Sequence, residues 1–321
     1  MLIVADAHIP FLTEAVQREW PDVDICPMKP EGIDNRTVRN ADILIVRTRT
    51  KVNESLLADS NVKMVCTATI GYDHVDTAYC EAHGIRWMSC PGCNAQAVCD
   101  YIEEAIEETI GHWSLGIGHS ILTIGIVGVG HVGSKVAQMA EQKGYKVLLN
   151  DPPKRIGVSL DFIAQKCDII TFHVPLDIST HHLCDEAFLA KCKPDALIIN
   201  AARGGVVDEQ ALLPSGHPYI LDTWENEPVI NREVLQNAFL ASMHIAGYSL
   251  EGKRNASQMC LDGIAETFSL PKINILQSSI ANHHSPITRG DSSPGWLKRI
   301  SDLLKTHPEQ FESLRKNYPL R

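Results

Sequence analysis

The sequence predicts an α/β protein: two doubly wound parallel-sheet domains, followed by a short, mainly helical C-terminal segment. Three observations carry that prediction. Short apolar runs alternate with amphipathic helical patterns, which is how a parallel sheet covered on both faces reads. The alternation breaks between Gly111 and Ser120, which hold three glycines, and then restarts. The chain has 321 residues, room for about two domains at roughly 150 residues each.

In the first block, Leu2–Ala5, Ile43–Val46, Met64–Thr67 and Ile85–Met88 read as strands. Between them, Phe11–Trp20 (stopped by Pro21), Asn53–Ala58 and Thr77–His83 read as helices. A longer helix runs from about Ala95 to Ile110. In the second block the strands are Leu122–Val127, Lys146–Asn150, Ile169–His173, Ala196–Asn200, Tyr219–Asp222 and Phe239–Ser242, with a helix at His131–Lys143. Six strands suit a doubly wound sheet. Asn255–Phe268 reads as a helix that returns to the first block.

Composition sets limits. Hydrophobic residues make up 44% and charged residues 21%, enough for packed cores. Twenty-nine Lys and Arg against 39 Asp and Glu give a net charge of −10, which argues against a nucleic-acid binder. No run of 18 apolar residues exists and the N-terminus lacks a signal-peptide pattern, so no membrane partner is expected. Ten scattered cysteines without a disulfide framework point to a cytoplasmic chain.

The most informative turn is Gly128-Val129-Gly130-His131-Val132-Gly133, a G-x-G-x-x-G between a strand and a helix. Such a turn needs Gly128 to bend sharply, Gly130 to let a pyrophosphate approach the backbone, and Gly133 to let helix and sheet pack closely. Asp151 follows 23 residues after Gly128, at the end of the next strand. A carboxylate there accepts hydrogen bonds from a ribose diol and favours NAD over NADP, a preference that Lys154 and Arg155 weaken. The alternative is a set of ordinary turn glycines.

Three further segments bear unusual polar chemistry after strands: Asn200 to Gly205, Asp222 to Pro228, and His244 to Tyr248. All three sit at the carboxyl edge of one sheet if the strand reading holds, where open α/β folds bind ligands. Arginine offers a planar fork to a carboxylate, and a histidine beside a glutamate is a general acid/base. Together with a nicotinamide cofactor they suit hydride transfer to or from a 2-hydroxy acid. Surface loop charges paired with one another are the alternative.

The order of these motifs resembles the D-2-hydroxyacid dehydrogenase family over about residues 40 to 260. Further stretches are similar to one branch of it: Val46–Asn53, Thr67–Asp76, Pro91–Ala95, His244–Lys253 and Phe311–Tyr318. The resemblance implies a Rossmann-type NAD domain (93–250) inserted in a flavodoxin-like substrate domain (1–92 with 251–280). A shortened, dimerisation-type segment (281–321) follows, a shortening that leaves the catalytic constellation untouched, in a homodimer. Hinges are expected near Pro91–Asn94 and Ala246–Glu251.

It implies catalytic roles for Arg203, Glu227 and His244. Cofactor contacts would come from Gly128, Gly130, His131, Val132, Gly133, Asp151, Val174, Ala201, Ala202, Arg203, Asp222 and Gly247. Thr48, Thr69 and Tyr248 would contact substrate, and no metal is expected. The branch oxidises a 4-phosphorylated substrate, 4-phospho-D-erythronate, at carbon 2. By charge, Arg47, Arg49, Lys51 and Lys253 are candidates to hold the phosphate, or else ordinary surface cations. A dehydrogenase for 3-phosphoglycerate, glycerate or lactate stays open, as does a non-catalytic NAD(H) sensor.

Other signals point to less. Cys90-Pro91-Gly92-Cys93 has redox-motif spacing but no thioredoxin-like context. His181-His182 and His283-His284 have no cysteine or acidic partner at metal-ligand spacing and read as solvated loop residues. Glu103, Glu104, Glu107 and Glu108 form an acidic helical face whose like-charged i, i+4 pairs the sequence leaves unexplained.

Overall fold

A computed structural model describes residues 1–113, 121–275, 293 and 295–319. The chain divides into two compact units, Met1–Asn94 with Ser249–Ile287, and Ala95–Tyr248 with Thr288–Arg321.

The first unit begins β1 (Leu2–Asp6), α1 (Leu12–Glu19), β2 (Asp24–Met28), α2 (Asn35–Val38), β3 (Ile43–Val46), α3 (Glu54–Leu57), β4 (Met64–Thr67), α4 (Thr77–Ala82) and β5 (Arg86–Met88). The strands form one parallel sheet in the order β2-β1-β3-β4-β5, the flavodoxin-like arrangement. Its central strands are apolar runs because both faces are covered. Ile3, Ile43, Ile45 and Met64 fill one core, while Val4, Leu44, Val46 and Val65 fill the other. Strand β2 escapes the sequence reading. Its sequence Asp-Ile-Cys-Pro-Met is mostly exposed, lies at the sheet edge and contains a proline, which edges tolerate.

The second unit opens with α5 (Ala95–Trp113), β6 (Thr123–Val127), α6 (His131–Gln142), β7 (Lys146–Asp151), β8 (Ile156–Gly157), α7 (Leu160–Lys166) and β9 (Ile169–Phe172). It continues with α8 (Glu186–Leu189), β10 (Leu197–Asn200), α9 (Glu209–Ser215), β11 (Tyr219–Leu221), α10 (Arg232–Asn237) and β12 (Leu240–Ala241). The sheet order is β12-β11-β10-β9-β6-β7-β8. It has seven strands rather than the expected six. The addition is β8, a two-residue strand pairing antiparallel with β7, too short to leave an apolar signal. The chain reverses between β6 and β9, which places the switch point beside the glycine turn. The acidic face of α5 also finds its reason. Lys143, just past α6, forms ion pairs with both Glu103 and Glu107.

The chain returns to the first unit as α11 (Leu250–Phe268), capped by Ser249, whose hydroxyl accepts from the Gly252 N–H at 2.9 Å. The helix starts five residues earlier than expected and packs Ala256, Cys260, Leu261 and Ile264 onto the first core. Two last helices, α12 (Trp296–Thr306) and α13 (Phe311–Asn317), belong to the second unit. Trp296, Leu297, Leu304, Phe311 and Tyr318 join its core, and the Ser301 hydroxyl accepts from the Ala241 N–H of β12 at 3.0 Å. Among the described residues, no helix is long and apolar enough to cross a membrane.

Candidate active site

At the carboxyl end of β6, Gly128 adopts φ +90°, open to glycine alone at little cost. A Cβ there would also lie 2.6 Å from the His173 carbonyl oxygen. Gly130 faces open space, and Gly133 is buried on α6. Asp151 closes the turn: its Oδ2 accepts from the Val129 N–H at 2.9 Å and its Oδ1 from the Lys154 N–H at 3.3 Å. The Lys154 ammonium donates to the Val129 carbonyl and lies 3.7 Å from the same carboxylate. His131 is exposed on the first turn of α6, and Val132 and Val174 are half-buried. Burial holds the neighbouring His173 neutral, with its pKa pushed down to about 3.

The ends of β10, β11 and β12 carry the polar cluster. After β10, the Asn200 amide donates to the Arg203 carbonyl while its Oδ1 accepts from the Ala202 N–H. This tight turn, through Ala201 and Ala202, sets out a half-buried Arg203. The next residue, Gly204, lies against the Trp224 carbonyl, where a Cβ would come within 2.0 Å. Only glycine lets the arginine loop pack so closely on the loop that holds Glu227.

Asp222, 1% exposed, is the anchor of the third loop. Its carboxylate accepts from the Ser242 hydroxyl at 2.6 Å and from the Ile245 and Ala246 N–H groups at 2.7 and 3.0 Å. Its carbonyl accepts from the His244 N–H at 2.7 Å. The Asp222 carboxylate thus positions the His244 loop. His244 needs that support because its φ of +58° is unfavourable for a side chain with a Cβ.

His244 Nδ1 meets Glu227 Oε2 at 2.9 Å, and Glu227 Oε1 accepts from the Trp224 N–H at 2.8 Å. An ionised carboxylate only accepts, so the neutral imidazole carries its proton on Nδ1 and leaves Nε2 basic. Burial alone would raise the Glu227 pKa. The His244 hydrogen bond and charge, the Trp224 N–H and Arg315 outweigh it, and the carboxyl lies below its ordinary range. The pair can therefore take up and release one proton at Nε2.

Two members of this cluster escape sequence reasoning. Arg315 of α13 places Nη1 3.7 Å from Glu227 Oε2, and Tyr248 lies in its electrostatic field. The C-terminal segment thus reaches the His244–Glu227 pair. The only sequence signal was the Phe311–Tyr318 stretch itself, which carried no assigned role. Glu209, 3% exposed, accepts from the Glu225 N–H at 2.7 Å. Burial, with the charges of Glu225, Glu227 and Asp208, pushes its pKa up to about 7 against that hydrogen bond. Gly247 and Tyr248 follow on the His244 loop, both half-buried.

The first unit holds the remaining residues. Thr48 is exposed beyond β3. Thr69 donates to the Gly71 carbonyl at 2.9 Å and meets the Thr67 hydroxyl at 2.7 Å, which in turn meets His74 Nε2 at 2.9 Å. Buried Asp6 accepts from Arg47 Nε at 2.8 Å and from the His8 N–H at 2.9 Å. Lys253 lies in the field of both Arg47 and Asp6. Burial first, then the Arg47 charge, lowers its pKa to about 8 against the pull of Asp6. Arg49 and Lys51 are exposed.

Cys90 and Cys93 are buried, and the Cys90 sulfur instead faces Cys260 at 3.6 Å. Burial raises the Cys93 thiol to about 12, which removes the nucleophilic thiolate a redox site needs. His182, read as a solvated loop residue, is half-buried and meets Glu225 at 2.5 Å and Asp208 at 3.5 Å. The loop after β9 folds back on those after β10 and β11, a proximity sequence spacing cannot show. Among the described residues, no group of three or more His, Cys, Asp or Glu is arranged to hold a metal ion. His283 and His284 lie outside the described residues.

Residues 101–246 match the family described as D-isomer specific 2-hydroxyacid dehydrogenase, NAD binding domain. Over its whole length the chain is 42% identical to erythronate-4-phosphate dehydrogenase of Bacteroides fragilis, covering 97% of that protein. With the enzyme of the same name from Porphyromonas gingivalis, identity is 38% over 99% of this chain and 92% of that one. Among solved structures, the NAD-bound 3-phosphoglycerate dehydrogenase of Entamoeba histolytica is similar, with TM-score 0.70 and 26% identity. That match covers 84% of this chain and 95% of the other. The Aquifex aeolicus D-lactate dehydrogenase shares the fold with TM-score 0.66 at 23% identity, over 84% and 96%.

Proposed function

The chain belongs to the D-isomer-specific 2-hydroxyacid dehydrogenases, on the branch of the erythronate-4-phosphate dehydrogenases, and from that premise we propose that it oxidises 4-phospho-D-erythronate to (3R)-3-hydroxy-2-oxo-4-phosphooxybutanoate. The product would feed pyridoxal 5′-phosphate biosynthesis. The observation that carries this reading is the 2.9 Å contact of His244 Nδ1 with Glu227, which leaves Nε2 as a base. NAD is the cofactor, and when bound it supplies the acceptor for a hydride.

The glycine turn fits such a group. Gly128 and Gly130 leave the backbone bare where a pyrophosphate needs it, and α6 turns its positive end there. His131, Val132, Val174, Ala201, Ala202 and Gly247 would line the cofactor, with Asp151 on its ribose. Arg203 would hold the substrate carboxylate and polarise the C2 oxygen. His244 Nε2 would take the C2 hydroxyl proton as the C–H bonding pair leaves C2, so the C2–O bond becomes a carbonyl. Glu227 would balance the imidazolium so formed.

Thr48, Thr69 and Tyr248 would contact the substrate. Of the four cations considered for its phosphate, Arg47 and Lys253 have the best support. They share the neighbourhood of Asp6, and their mutual repulsion is what a phosphate dianion would offset. We also propose a homodimer in the cytoplasm. All ten cysteines are free thiols, eight of them buried, which suits a reducing compartment. The dimer rests on the family resemblance; light scattering that finds a monomer overturns it.

The test is NADH formation from NAD by purified protein given 4-phospho-D-erythronate, 3-phosphoglycerate, glycerate or lactate. Turnover with the first above the others supports the reading. Preference for another acid reassigns the substrate, and cofactor binding without turnover on any of them favours a sensor.

A further inference from the structure

The last helix has a buried face. Phe311 and Arg315 stand at i and i+4 on one side of α13, and Tyr318 follows directly after its end. Phe311 is 1% exposed and Tyr318 8%, both in the second-unit core. Arg315 sits between these anchors with 22% of its side chain exposed. A guanidinium so placed needs an anionic partner, because charge held away from water is costly unless paired.

Its partner is the oxygen that also faces His244. Glu227 Oε2 meets His244 Nδ1 at 2.9 Å and Arg315 Nη1 at 3.7 Å, while Oε1 is fixed by the Trp224 N–H. Tyr248, four residues beyond His244, lies in the field of the same guanidinium. We propose that Arg315 is a positioning residue for proton transfer, holding the Glu227 carboxylate in place beside His244. This rests on the reading of His244 and Glu227 as the proton-transfer pair.

The charged and titratable groups around Glu227 are His244, Arg315 and, across the loop, Glu209 with Glu225; Glu312 and Tyr248 face Arg315. With the guanidinium present, the carboxylate divides its charge between two cationic partners. Without it the carboxylate acts on the imidazole alone, and the pair takes up a proton at higher pH. Oxidation needs the unprotonated pair, so the acid limb of the rate profile moves to higher pH.

The experiment compares wild type, Arg315→Gln, Arg315→Lys and Arg315→Ala in NAD-dependent oxidation of 4-phospho-D-erythronate across pH. Expected for Arg315→Gln is a roughly ten- to hundred-fold lower kcat, a KM changed less, and an acid limb displaced upward. Arg315→Lys should restore the limb in part, and added guanidinium should raise the kcat of Arg315→Ala. Rescue by a small cation is not expected of a residue that merely stabilises the fold. Wild-type kcat and pH profile in Arg315→Gln, or failure of both rescues, overturns the inference while wild-type turnover keeps the functional reading intact. Absence of wild-type turnover takes both down.

Discussion

The two units hold their polar residues in different ways. In the second, Arg203, Glu227 and His244 stand on loops at strand ends, and backbone hydrogen bonds set each one. Asp222 alone fixes the His244 loop by its carboxylate and its carbonyl. In the first, side chains acting on side chains carry more of the placement: His74 through Thr67 on Thr69, which also donates to the Gly71 carbonyl, and Asp6 on Arg47 in the field of Lys253. On the proposed roles, proton transfer, which tolerates little displacement, would use the backbone-set, more rigid frame. Recognition of the charged group, which tolerates more, would use the side-chain-set, more adaptable one.

The largest effect should come from the rigid frame. His244→Ala is expected to lower kcat by about 10²–10⁴-fold, the span of general acid/base catalysis, with cofactor binding retained by fluorescence titration. A rate within a few fold of wild type would remove the base assignment.

In the adaptable frame the effect should fall on KM. Lys253→Met should raise KM for the phosphorylated substrate roughly ten- to hundred-fold, the worth of a charge-assisted hydrogen bond, with kcat little changed. Burial disfavours the ammonium, so at neutral pH the variant should melt no lower than wild type. Lys253 is charged below a pKa of about 8 and loses that charge as pH rises through it. Wild-type KM should therefore climb above pH 8, and the variant's should not.

A smaller effect is expected at His74. Thr69 donates to Gly71, so Thr67 must donate to Thr69, and His74 must donate to Thr67 from Nε2. Burial, against the charge of Asp73, lowers the His74 pKa, so the ring is neutral at pH 7. His74→Leu should raise KM about three- to ten-fold, and His74→Gln, which keeps an N–H donor, should do less. Equal effects of the two variants would dismiss the chain.

The smallest catalytic effect is expected at Glu209, where the change is in stability. Its pKa of about 7 lies above the ordinary carboxyl value, so its contribution is most favourable below pH 4.5 and is lost as pH rises through 7. Glu209→Gln keeps an acceptor for the Glu225 N–H. It should be more stable than wild type at pH 8, by about 1–3 kcal/mol, and nearly equal at pH 5. Denaturant melts at the two pH values check this.

Sequence legibility follows the same division. The glycine turn, the Asn200–Gly205 and Glu225–Pro228 loops and His244 are readable because strand, turn and reactive residue are contiguous. Strand β2 is not readable, since an exposed edge with Pro27 leaves no apolar run. Nor is Arg315, whose partner lies 88 positions earlier in the chain. The Asp6–Arg47–Lys253 grouping likewise joins β1, the end of β3 and α11. Charge alone gave four equal candidates there; tertiary packing brings two of them, Arg47 and Lys253, to Asp6.

The most direct measurement is kcat/KM for 4-phospho-D-erythronate against D-erythronate lacking the phosphate, in wild type and Lys253→Met. Wild type should prefer the phosphorylated acid by orders of magnitude, and the variant should narrow that gap chiefly through KM. Equal use of both acids by wild type, or an unchanged gap in Lys253→Met, would contradict the account.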